Sequence, residues 1–171
     1  MHRNYSRAKQ GINLPMISTI AFILAVQTAP KLPDARPEDV KSVDTIVAAL
    51  YDVISGPAGK PRDWTRFKSL FSPKGTLAAV VKGKDGKPFL ATMTPDSYAT
   101  GNAPYFEKNS FFEKETKRKT MKAMDIVHVF SDYESRKAVE DKKPFESGTN
   151  AIQMYSDGTR WYIHSILWQG N

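Results

Sequence analysis

The chain has 171 residues, 40% hydrophobic and 11% aromatic, which is enough for one ordinary domain with a packed core and excludes an intrinsically disordered chain. It has no cysteine, so disulfides, thiolate metal sites, cysteine nucleophiles and lipoprotein acylation are all excluded. The net charge of +7 includes Arg3, Arg7 and Lys9; without these three, 22 basic residues stand against 18 acidic ones, well short of the basic footprint of a dedicated nucleic-acid binder.

Behind those three basic residues comes an uncharged run at 11–30, most apolar at 16–26 (M-I-S-T-I-A-F-I-L-A-V). A basic start followed by such a segment is the pattern of a secretory signal peptide, and the apolar part falls short of the roughly 20 residues of a membrane span. Ala25, Thr28 and Ala29 offer small residues for cleavage, although Gln27 and Pro30 crowd the bond after Ala29. Residues 1–29 are therefore expected to be a signal peptide. An uncleaved N-terminal anchor, a mis-assigned start and a buried helix are the alternatives. Residues 30–36 form a polar linker, and 37–171 one domain, expected to be periplasmic or extracellular, with no membrane contact beyond the leader.

Pro37-Glu38-Asp39 opens a helix, with proline in the first turn and acids where the macrodipole favours them. Val40, Val43, Ile46, Val47, Leu50, Tyr51 and Ile54 recur at helical spacing, and Gly56-Pro57 ends the run. The G-P-A-G-K at 56–60 lacks the spacing and the following Ser/Thr of a phosphate loop. Asp63 caps a short second helix with Trp64, Phe67, Leu70 and Phe71 on its apolar face. A hairpin follows, 76–81 with 89–93, around Lys84-Asp85-Gly86. Thr94-Pro95 starts a third short helix reaching about Thr100, with Tyr98 inward and Gly101 and Pro104 as breakers.

Residues 111–122 (F-F-E-K-E-T-K-R-K-T-M-K) read as a long strand whose basic run Lys117-Arg118-Lys119 alternates between faces. That charge protects an edge strand from pairing; a weak contact with an anionic surface is the alternative. The next strand, 124–135, puts Val127, Val129, Ser131 and Tyr133 on one face and Ile126, His128 and Phe130 on the other. After a charged connection, two β-rich runs flank Asp157-Gly158, the signal of a two-residue hairpin turn. That turn would pair Met154 with Trp161, Ile152 with Ile163 and Asn150 with Ser165. One face would then hold these residues with Leu167, and the other Tyr162, His164, Ile166 and Trp168. Helices first and long antiparallel strands after them make an α+β domain.

On three stretches, F-F-E-K-E at 111–115, H-V-F-S-D-Y-E-S-R at 128–136 and the closing 148–168, the chain resembles the nuclear transport factor 2-like, or SnoaL-like, superfamily, across roughly 37–169. The resemblance implies a cone: a strongly bent antiparallel sheet wrapped around a long N-terminal helix, with two short helices and a pocket between sheet and helix. The superfamily spans isomerases, cyclases, dehydratases and binding modules, so it does not select a reaction. In such a cone the expected pocket residues are Trp64, Phe67, Glu113, Ser131, Tyr133, Asn150, Trp161, Ile163 and Ser165, holding a small apolar or amphipathic molecule. A buried Glu113 would have a raised pKa and is the one candidate acid or base. The bland alternative is an internal network in which Asn150 and Ser165 bond each other and Glu113 pairs with a base. The face with Tyr162, His164, Ile166 and Trp168 is the expected homodimer contact, as sheet faces of this superfamily commonly are, with coverage by the chain's own termini as the alternative. His128 and His164 lack a third metal ligand, and no serine-nucleophile motif is present, so no metal and no cofactor are expected. A dimerisation module with a filled core completes the readings left open.

Overall fold

The computed structural model describes residues 32–171; the expected leader lies outside them. The helical stripe at the start forms two helices rather than one, α1 at Pro37–Val40 and α2 at Val43–Ile54. Ser42 interrupts them. Its hydroxyl accepts the Thr45 amide at 3.1 Å while Thr45 Oγ1 accepts the Ser42 amide at 3.1 Å, a reciprocal capping box that starts a new helix. Helix α3 spans Trp64–Ser69, with the Asp63 carboxylate accepting the Arg66 amide. Helix α4, Pro95–Lys108, runs through both expected breakers and is the longest of the described helices. Pro104 and Thr100, the residue one turn before it, are both exposed, so the carbonyl left without a partner sits on the wet side. Burial of Ala99 and Phe106 on the opposite side outweighs the cost of the proline.

The strands are β1 (Phe71–Lys82), β2 (Pro88–Met93), β3 (Phe112–Ala123), β4 (Ile126–Arg136), β5 (Glu146–Ser156) and β6 (Trp161–Gly170), in the spatial order β2-β1-β6-β5-β4-β3. All neighbours are antiparallel except β1 and β6, which are parallel, so the expected antiparallel sheet is a mixed one. Strand β3 lies at an edge, with Lys117 and Lys119 exposed, while Arg118 turns toward the helix side and pairs with Glu115 and Asp44. The sheet bends around α2, whose Ile46, Val47, Leu50, Tyr51 and Ile54 share one core with Phe67, Leu70, Phe71, Val129, Ile152, Met154 and Ile163. The domain is an α+β cone with an unclosed, curved sheet.

The closing hairpin differs from its expected register, for a reason that lies in its turn. A two-residue turn of the expected kind needs positive φ at both Asp157 and Gly158, and only Gly158 (φ 89°) adopts it. The Asp157 carboxylate instead accepts the amides of Thr159 and Arg160 and the Thr159 hydroxyl, holding a four-residue loop, so Ser156 pairs with Trp161 and Met154 with Ile163. A shift of two residues preserves the faces. Beyond Ile163 the ladder slips again: Gln153 pairs with Ser165, leaving His164 as the extra residue of a bulge. From there the faces invert. Ile166 and Trp168 point to the helix side, whereas Ser165 bonds Gln153 and Leu167 is exposed on the outside.

Two arginines lock the helices. Arg66 bridges Asp39 of α1 and Asp52 of α2. Arg62, buried and paired with no carboxylate among the described residues, donates to the carbonyls of Ile54, Gly56, Pro57 and Lys60, closing the C-terminal end of α2. Among the described residues no helix is long and apolar enough to cross a membrane.

Candidate functional site

Three helices and all six strands line a cavity of about 390 Å³ at one end of the cone, with Phe67 from α3, Leu77 from β1 and Met93 from β2. Helix α4 supplies Tyr98, Asn102, Tyr105 and Phe106, one face at spacings of four, three and one. Helix α2 supplies Leu50 and Ile54, β3 supplies Glu113, β4 Tyr133, β5 Glu146 and Asn150, and β6 Ile166 and Trp168. Aromatic rings form about half of the wall. Tyr98 stacks on Phe67 with centroids 5.2 Å apart and meets Trp168 edge-on at 6.3 Å; Phe111 joins Phe106 at 5.0 Å and Phe145 at 6.0 Å.

The polar groups inside this wall are acidic or neutral. Ser135 Oγ donates to Glu113 Oε2 at 2.8 Å, and no described residue donates to Oε1. Burial pushes the Glu113 carboxyl from its ordinary 4.5 up to about 7; the Ser135 hydrogen bond opposes the rise and the neighbouring Glu146 charge adds to it. The Glu113 backbone is fixed from α2, since its amide donates to Ser55 Oγ at 2.9 Å. Tyr98 and Tyr133 are both held above their usual value, by burial first and then by the charges of Glu113 and Glu146. Both tyrosines line the open cavity, and neither hydroxyl bonds another described residue. Tyr133 packs on Gly148, where an added Cβ would lie 2.6 Å from the phenolic oxygen.

Of the residues expected in the pocket, Phe67, Glu113, Tyr133 and Asn150 come together there. The others are elsewhere. Ser131 lies under the floor, where its hydroxyl is 2.7 Å from that of Tyr51 and donates to Glu115. Asn150 donates to the same Tyr51 oxygen at 3.0 Å, and burial pushes Tyr51 up to about 12. Trp64 stands behind the wall against Phe67, Tyr98 and Phe106. Ile163 is fully buried in the core, Trp161 sits under the Lys122 ammonium at the far end, and the bulge turns Ser165 outward. The expected internal network is therefore redrawn: Asn150 bonds Tyr51 instead of Ser165, and Glu113 bonds Ser135 instead of a base.

The expected dimer face is divided in the same way. Ile166 and Trp168 line the cavity, correcting their outward assignment. Tyr162 remains outside but is engaged by its own hairpin, stacked on Tyr155, lying under Arg160 and donating to Asp157. His164 is exposed, 3.2 Å from Ser72 Oγ, and with His128 it borders an open groove of about 920 Å³ on the outer face. Among the described residues no three metal-binding side chains converge.

Sequence reasoning missed Glu146, Asn102, Tyr105, Phe106 and Trp168 as wall residues. The periodicity 98, 102, 105, 106 was available as a signal, masked by Gly101 and Pro104.

No family model and no curated protein matches this sequence. Solved structures do match in shape. A protein of unknown function with a cystatin-like fold from Nostoc punctiforme PCC 73102 aligns with a TM-score of 0.57 and 12% identity, covering 75% of this chain and 88% of its own. LinA aligns at 0.52 and 14%, covering 73% and 83%. An NTF2-like protein from Cytophaga hutchinsonii ATCC 33406 aligns at 0.50 and 10%, covering 74% and 89%. This chain has the nuclear transport factor 2-like fold. At such identities the likeness extends to the fold alone and to no particular activity.

Proposed function

We propose that this nuclear transport factor 2-like domain binds a small apolar or amphipathic molecule in the cavity between α4 and the β4–β5–β6 end of the sheet. One observation carries the reading: a carboxyl, Glu113, stands inside a largely apolar wall with one oxygen that accepts from no described residue. Apolar walls with a few convergent polar groups are what small-molecule recognition requires, and about 390 Å³ lies at the small end of the range for such sites. A protein that used this end only for packing would have filled it, since interiors are close-packed.

The test is a thermal-shift panel of aromatic and amphipathic compounds on the wild type and on Asn102→Trp, which fills the cavity from the surface of α4. Ligands raise the Tm of the wild type and leave the variant unmoved. Equal shifts in both, or none in either, contradict the reading.

A second reading is favoured by the Glu113 pKa of about 7. A carboxyl half-ionised near neutrality, with Oε1 open to the cavity, is suited to proton transfer in an isomerase, cyclase or dehydratase. Turnover that is lost in Glu113→Gln while ligand binding persists would establish it. For the outer face we propose a second copy of this chain as the partner, meeting exposed Ile126, Phe130 and Leu167 beside His128 and His164. Sedimentation of Phe130→Lys checks this, with a monomeric wild type as the contrary result. Export by residues 1–29 is proposed on the leader pattern alone, and N-terminal sequencing of the mature chain decides it.

A further inference from the structure

The cavity's polar end has a sign. Its titratable wall residues are Glu113, Glu146 and the three tyrosines Tyr98, Tyr105 and Tyr133, and no described lining residue is Lys, Arg or His. The Arg62 guanidinium lies against Phe106, but it donates to four backbone carbonyls and does not line the cavity. The rest of the wall is aliphatic and aromatic with two amides, and the ring faces of Phe67, Phe106, Phe111, Phe145 and Trp168 carry negative potential that attracts cations. Two acids, phenol and amide oxygens and ring faces, without a compensating base, make a chamber that favours a positive guest and rejects an anion.

We propose that the ligand of this cavity is an organic ammonium, an amine on an apolar or aromatic body whose charged end lies between Glu113 and Glu146. The inference rests on the pocket reading above and narrows it to a chemical class. The apolar body replaces water against Phe106, Phe111 and Trp168. The ammonium donates to Glu113 Oε1, the oxygen that accepts from no described residue. It also relieves the repulsion between the two carboxylates, which is otherwise relieved by protonating Glu113. Binding is therefore linked to proton release. Glu113 is faced by Ser135 and Tyr133 from β4, Glu146 from β5, Tyr98 from α4, and Ser55 and Tyr51 from α2, with no base among them.

Three compounds with one body and different ends separate the possibilities: 4-phenylbutylamine, 4-phenyl-1-butanol and 4-phenylbutyrate, titrated calorimetrically into the full chain. At about pH 8 the amine is expected to bind about tenfold or more tighter than the alcohol, with no detectable binding of the acid. At about pH 5, where Glu113 holds its proton, the preference for the amine shrinks. In Glu113→Gln and in Glu146→Gln it falls to about threefold or less while the alcohol still binds, which shows that the variants keep a folded cavity. Equal affinity for amine and alcohol in the wild type overturns the ammonium inference and leaves the pocket reading standing. Tighter binding of the acid also overturns it. Binding of none of the three overturns the inference and the pocket reading together.

Discussion

Glu113→Gln is expected to make the protein more stable at neutral and alkaline pH. Folding raises this carboxyl from 4.5 to about 7, so between those values the folded chain keeps a proton that the unfolded chain has lost. Below pH 4.5 both states are protonated and the group contributes nothing. As pH rises through the window stability falls, and above pH 7 the loss is complete. At about 1.4 kcal/mol for each tenfold change in proton affinity, the span corresponds to about 3 kcal/mol, or about 2–3 kcal/mol once hydration of a cavity-facing carboxyl is allowed for. Glutamine is neutral at every pH and still offers an oxygen to Ser135 Oγ. Urea unfolding of both proteins from about pH 4 to pH 8.5 gives the comparison, in which every other titrating group cancels. The variant should match the wild type at about pH 4 and exceed it by about 2–3 kcal/mol at about pH 8. A difference that stays constant across the series refutes the claim that Glu113 is buried unpaired by a base.

Gly148→Ala brings a methyl within 2.6 Å of the Tyr133 hydroxyl and against the Gln169 carbonyl, and should cost about 1–3 kcal/mol in denaturant unfolding. Trp168→Ala should abolish ligand-induced thermal shifts without altering sedimentation, because the ring faces Tyr98 across the cavity wall. Arg62→Met leaves the buried Ile54 carbonyl without its donor and should destabilise by about 2–4 kcal/mol. Ser42→Ala removes the cap between α1 and α2, for about 1 kcal/mol by the same assay.

How much of this was legible in the sequence follows from the range of each interaction. The strand at 126–136 showed its faces through strict alternation: Val127, Val129, Ser131 and Tyr133 do look toward the helix. The stripe from Ile46 to Ile54 likewise named the buried side of α2. Glu113, Tyr133, Asn150 and Phe67 line the cavity, and each sits on an element whose pattern is unbroken up to that point. What failed depended on one extra residue. The bulge at His164 inverted everything after it, exchanging Ser165 for Ile166 and Trp168, and no residue type announces a bulge there. Glu146 follows the charged connection at 137–145, and it lines the cavity because β5 begins there. Helix α4 was cut short on local propensity, whereas burial of Phe106 decides its length.

Occupancy of the cavity is tested most directly by a crystal structure of the protein soaked with the compound giving the largest thermal shift. Density enclosed by Phe106, Trp168 and Glu113, with a polar atom of the ligand at hydrogen-bonding distance from Glu113 Oε1, is the predicted result. Density only in the outer groove beside His164, with the inner cavity holding nothing but water, contradicts it.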